Sequence, residues 1–170
     1  HNPEEIWNKT KKILVDVIKK SKRLNGDILT IGITNQRETT ILWDKVSGKP
    51  IYNAIVWQDR RTQDFCKKFR TNKRERLINR KTGLLIDPYF SGTKIKWIIQ
   101  NIPKAKNLIK RKQLLFGTID TFLLWRLTKG KIHATDATNA SRTMLYNINT
   151  NKWDNQILKS LKIPSHILPV

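Results

Sequence analysis

Apolar positions recur along this chain in short blocks whose period switches between that of a helix and that of a strand. Asn2-Pro3-Glu4-Glu5 predicts a helix start, with Asn as the cap, Pro at the first helical position and acids in the first turn. Ile6, Thr10, Ile13, Leu14, Val17 and Ile18 then keep to one face until Asn25-Gly26 ends the run. From Asp27 to Thr34, Ile28, Leu29, Ile31 and Ile33 make a near-continuous apolar run, the pattern of a strand covered on both faces. Thr39–Trp43 and Ile51–Trp57 are β-rich runs, and the segment between them, Asp44 to Pro50, predicts a hairpin with a longer loop.

Arg61 to Arg80 carries one helical pattern, with Phe65, Phe69, Leu77 and Ile78 inward and the basic residues outward. Thr82-Gly83 breaks it, and Asp87-Pro88 signals a turn. Thr93 to Asn101 predicts a short helix carrying Ile95, Trp97, Ile98 and Ile99. Leu114–Phe116 predicts a buried strand, and Asp120 to Leu127 a helix stopped near Gly130. Thr143 to Ile148 predicts a strand, and Asp154 is placed to cap a last helix reaching Leu161. Alternating strands and helices predict an α/β domain, with no repeats and no interdomain linker. The candidates for a phosphate loop, Gly83 and Gly92, stand too far apart for a GxGxxG or Walker motif.

Composition narrows the function classes. A length of 170 residues suits one domain with a real core, and 38% hydrophobic residues with six Trp argue against disorder. No apolar run approaches the ~20 residues that span a bilayer, so a soluble chain without a membrane partner is expected. Cys66 is the only cysteine, which excludes an internal disulfide and fits a reducing, cytoplasmic compartment. It sits on the apolar side of its helix and is expected to be buried and inert.

A net charge of +21 invites a nucleic-acid reading. Its distribution argues against one. Basic clusters at 9–12, 19–23, 67–76 and 104–112 are spread over several predicted helices, and Lys outnumbers Arg 23 to 11, although bidentate phosphate and base readout favours Arg. Asn (14) and Ile (22) are also abundant, and Lys, Asn and Ile share AT-rich codons. A compositional bias therefore explains the charge without nucleic acid.

The candidate chemistry lies in Gly32-Ile33-Thr34-Asn35-Gln36-Arg37-Glu38-Thr39-Thr40. In open α/β sheets ligands sit beyond the carboxyl ends of strands, and Arg37 and Glu38 follow such an end. A guanidinium fork beside an acceptor-only carboxylate can bracket neighbouring hydroxyls of a small polyol. A surface loop with two incidental charges fits this segment equally well.

The segment from Tyr89 to Asn101 fits, position by position, a signature of the FGGY carbohydrate kinases. Gly32–Thr40, Ala54–Arg61, Thr82–Pro88, Gly117–Thr121 and Thr135–Thr143 resemble further segments of that family, in order and at family spacing. Across Asn2 to Pro169 the set is most similar to the members that act on glycerol. The resemblance implies part of an actin-like, ribonuclease-H-like fold, a mixed sheet with flanking helices that lacks its first strands. Residues 1–170 would be a fragment of the N-terminal, polyol-binding domain, with no second domain. The bare sheet edge would then limit solubility.

It implies further that the longer enzyme moves the γ-phosphoryl of ATP, with Mg²⁺, to a terminal hydroxyl of glycerol. A homo-oligomer is compatible with it. Substrate-binding roles carry over to Arg37, Glu38, Trp57 and Tyr89. Glu38 would accept from one hydroxyl and Arg37 donate to its neighbour, Tyr89 would add a phenolic bond, and Trp57 would pack on the carbon skeleton. By themselves, Trp57 reads as core and Tyr89 as the close of a turn. Asp59, Asp87 and Asp120 are the acids nearest these motifs, yet none holds the family's base position. The expected Asp base would lie beyond Val170 and the Gly-Thr-Thr phosphate hairpin before His1, so no catalytic or metal-binding residue is assigned and the chain alone is expected to be inactive. His133, Asp136 and Arg142 are read as structural, the last two through capping or ion pairing. A sibling kinase for xylulose or ribulose is the nearest alternative, and a basic nucleic-acid module a distant one.

Overall fold

A computed structural model describes residues 1–170. The first helix, α1, runs Pro3–Arg23; the Asn2 side chain accepts from the Glu4 N–H, and Asn25, in the left-handed region, closes its far end. Only its first turns pack on the body, through Pro3, Ile6 and Trp7, while Ile13 and Val17 stay 62% and 50% exposed. No helix is long and apolar enough to cross a membrane.

The expected strand over 27–34 does not form. The segment has no regular structure, and Leu29 is 93% exposed. An apolar strand is covered only when neighbouring strands flank it, and none does so here: β1 (Ile41–Asp44) pairs with β2 (Leu114–Gly117) instead. The pairing is antiparallel, with Leu42 opposite Phe116 and Trp43 opposite Leu115. The predicted second arm makes only isolated bridges, Ile55 with Thr40 and the preceding Pro50 with Trp43, so the predicted hairpin lacks a regular second strand.

The β1–β2 pair is a wall between two apolar clusters. Leu42, Leu114 and Phe116 face the larger, with Ile78, Ile95, Ile98 and Ile157. Ile41, Trp43 and Leu115 face the smaller, with Phe122 and Trp125. The alternation is the period-2 pleat of a strand.

The predicted helix over 61–80 is two: α2 (Gln63–Phe69) and α3 (Asn72–Thr82). Thr71 divides them, in extended conformation with its hydroxyl accepting from the Arg74 N–H. Phe69 and Ile78 are buried as expected, Phe65 and Leu77 half-buried. Helix α4 (Ser91–Asn101) carries the signature segment, and α5 (Pro103–Lys110) follows at once, starting on a proline that the sequence reading passed over. Helix α6 spans Ile119–Leu127 and the short α7 Ala137–Ala140, followed by a 3₁₀ turn at Ser141–Thr143. The strand expected over 143–148 shrinks to β3 (Tyr146–Asn147), paired with β4 (Lys152–Trp153), because Met144 adopts positive φ. Asp154 caps α8 (Asn155–Leu161) as expected, accepting from the Gln156 and Ile157 N–H groups.

Candidate functional site

Four segments converge around Glu38. It lies in the turn before β1, buried, with φ at +62°, a region few non-glycine residues occupy. Its carbonyl accepts from the Lys94 ammonium at 3.1 Å and from the Ser91 and Thr40 hydroxyls, each at 3.3 Å. Its carboxylate Oε1 accepts from Arg142 Nε at 2.6 Å, and no other protein donor is bonded to that carboxylate. The second oxygen is thus left as an acceptor for something else.

Tyr89 and Trp57 form a ring pair. Their rings lie 5.4 Å apart between centroids, tilted by 48°, and both are half-buried. The Arg142 guanidinium sits over Tyr89 and Phe90, 5.6 and 5.1 Å from their ring centres. The loop carrying Tyr89 is fixed by Asp87, whose carboxylate takes the Tyr89 N–H at 2.8 Å and Arg60 Nη1 at 3.1 Å. A shallow cavity of about 370 Å³ opens beside it, against Leu84, Asp87, Tyr89, Phe90 and Arg142.

Arg142 thus links Glu38 to Tyr89, and Trp57 joins them through its ring contact with Tyr89. Arg37 is exposed beside Glu38, and no ion pair or hydrogen bond ties it to the other three. The loop that carries it is anchored two residues earlier. Asn35 Nδ2 donates to Asp120 at 3.3 Å and to Asn139 at 3.0 Å. Asp120 also accepts from Thr118, Thr121 and Thr135, and Asn139 donates to Asp136, the cap of α7. Asp120 and Asn139 therefore hold the loop, a role that sequence reading missed because the partners lie far apart in the chain.

The other candidates resolve into structure. Asp136 caps α7; burial would raise its carboxyl pKa, but bonds from Asn139 and Thr138 outweigh that and hold it low. His133 Nε2 donates to the Phe116 carbonyl at 2.8 Å and its ring meets the Trp43 edge; burial pushes its pKa down. Cys66 is buried, and burial pushes its thiol pKa up. Arg142, read as structural, is an ion-pair partner as anticipated, but inside the site. Nowhere do three His, Cys, Asp or Glu side chains gather into one cluster.

The family model for the FGGY family of carbohydrate kinases, N-terminal domain, matches residues 1–170. A glycerol kinase of Shewanella baltica is 53% identical over 169 residues, 99% of this chain and 34% of that protein. A glycerol kinase of Borrelia duttonii is 54% identical over the same length and shares. The chain thus spans about a third of the length of these relatives. The crystal structure of Plasmodium falciparum glycerol kinase with ADP superposes with a TM-score of 0.94 at 43% identity, covering 99% of this chain and 34% of that one. A ligand-bound xylulose kinase of Lactobacillus acidophilus shares the fold, with a TM-score of 0.83 at 24% identity over 99% of this chain and 32% of that one.

Proposed function

This chain belongs to the FGGY family of carbohydrate kinases, and from that premise we propose that it is the polyol-binding part of an enzyme that transfers the γ-phosphoryl of ATP to glycerol. The observation that carries this reading is the Glu38 carboxylate, turned inward and bonded through one oxygen to Arg142 while the other is left to accept. In this reading that oxygen takes one glycerol hydroxyl and Arg37 donates to the next. Tyr89 supplies a phenolic bond, and Trp57, tilted against it, covers the carbon skeleton. The glycerol kinases at 53–54% identity support glycerol over a pentulose.

ATP would be the second substrate, and Mg²⁺ would neutralise charge on its transferring phosphate. This chain's part in the reaction is to bind and orient the hydroxyl. It offers neither a glycine-rich phosphate loop nor a carboxylate cluster for the metal, so the 170 residues alone do not turn over glycerol in this reading.

The test is a kinase assay on the protein expressed from its whole reading frame, with ATP and Mg²⁺ and with glycerol, xylulose or ribulose as acceptor. Glycerol is expected to give the highest kcat/KM. Preference for a pentulose would overturn the substrate, and turnover by the purified 170-residue chain would overturn the division of labour.

A further inference from the structure

Among 23 lysines, Lys94 alone is buried, with no exposed surface. It stands in the first turns of α4, where the helix dipole disfavours a cation, and removal from water disfavours the ammonium further. Neither helix stability nor packing selects a lysine there. Its hydrogen bonds do supply a reason. Nζ donates to the carbonyl of Glu38 at 3.1 Å and to the carbonyl of Tyr89 at 2.5 Å. These two residues carry the carboxylate and the phenol of the proposed site, and they come from segments that no strand pairing joins.

We propose that Lys94 is the positioning residue of the polyol site: by holding the main-chain oxygens of Glu38 and Tyr89, its ammonium sets the spacing between the carboxylate and the phenol that grip the substrate. This rests on the glycerol reading above. Lys94 touches no substrate atom and acts through the backbone alone. Charge-assisted bonds are roughly twice as strong as neutral ones, so the clamp is tightest while the amine is protonated.

The surroundings decide when that proton is lost. Glu38 faces Lys94 from the turn before β1, Asp59 from the loop before α2, and Asp87 from the loop before α4. Each carboxylate has its own cation: Arg142 on Glu38, Arg61 on Asp59, Arg60 on Asp87. Burial lowers the Lys94 pKa to about 8 against the opposing pull of the three carboxylates. The clamp therefore weakens within an accessible pH range.

The experiment measures kcat and KM for glycerol, with KM for ATP as the control, in the protein from the whole reading frame and in its Lys94→Met variant, from pH 7 to pH 9.5. In the wild type, KM for glycerol is expected to rise at least threefold across this range while KM for ATP holds. Lys94→Met, isosteric but uncharged, is expected to raise KM for glycerol at least tenfold at pH 7, with kcat within threefold and the pH dependence gone. A KM within twofold of wild type in the folded variant would overturn the proposal. Should the variant not fold, the wild-type series decides by itself, and a flat KM overturns it. Absence of any glycerol turnover by the wild type at pH 7 would remove the substrate reading and this proposal together, an outcome distinct from turnover with an unchanging KM.

Discussion

Arg142 Nε lies 2.6 Å from Glu38 Oε1 and joins residues 104 apart in the chain. The carboxylate side chain is 4% exposed and the guanidinium 29%, so the pair is sheltered and the guanidinium keeps one edge in water. Removing one partner of such a pair strands the other. Arg142→Met is expected to cost on the order of 2–3 kcal/mol, below the full figure for a dry pair because water reaches Arg142. Urea unfolding measures the loss. On the proposed glycerol reading, KM for glycerol in the protein from the whole reading frame should rise in step, since the Glu38 carboxylate then loses the bond that fixes its direction.

Gly92 governs how closely α4 approaches that arginine. A Cβ there would lie 3.0 Å from the Thr143 carbonyl and 3.0 Å from Leu145 Cδ2. Gly92→Ala must push the 143–145 turn outward, and Arg142 with it. The expected cost is about 1–3 kcal/mol, read as a lowered midpoint in thermal or urea unfolding. An unchanged midpoint would mean that the turn yields freely and contributes nothing to the site.

Asp154 sets an acid limit to stability. Burial would raise its carboxyl pKa, but bonds from Lys81, the Ile157 N–H and Asn147 outweigh that and hold it below the ordinary value. The sign follows from linkage: with a depressed native pKa, the unfolded chain binds the proton more readily. The stabilisation is complete above the unfolded carboxyl range, about 4, and is lost as pH falls through the native value. Asp154→Asn keeps an oxygen for the cap and removes the charge, so its acid limb should flatten. Asp154→Ala also removes the cap and should cost a further ~1 kcal/mol at pH 7. Unfolding free energies from pH 2 to pH 7 distinguish the two.

Cys66 is expected to be silent. With its side chain buried and its pKa raised by burial, the thiolate that attacks disulfide reagents is both scarce and shielded. Native protein should label with Ellman's reagent only as fast as it opens, and one thiol per chain should react at once in denaturant. Rapid labelling of folded protein would place the thiol at the surface.

Caps and polar–apolar alternation were legible from the sequence because they act within a few residues. Asn2-Pro3-Glu4 and Asp154 announced their helices, and Leu114–Phe116 its strand. Thr71 went unnoticed because its capping hydroxyl sits in a basic run with no glycine or proline to mark the break. The 27–34 segment misled for a different reason: its apolar residues report covering strands, which this chain does not place beside it. Glu38, Trp57 and Tyr89 could be named from the resemblance and are found together. Lys94 could not, because a lysine in a sequence reads as surface, and only the carbonyls of two remote segments explain its burial. Asp120 and Asn139 were hidden likewise by separations of 85 and 104 residues from Asn35.

The four-residue β1 has a consequence for the insertions and deletions this chain can tolerate. Its successive residues serve opposite clusters, Leu42 one and Trp43 the other. Losing or gaining one residue between 40 and 44 would therefore transpose the whole set, sending Trp43 toward the aliphatic side and Leu42 into the place of an indole. Substitutions that keep the parity can be absorbed by repacking on one side alone. A frame change of one position cannot, since both clusters are mispacked at once, and the turn that holds Glu38 shifts with them.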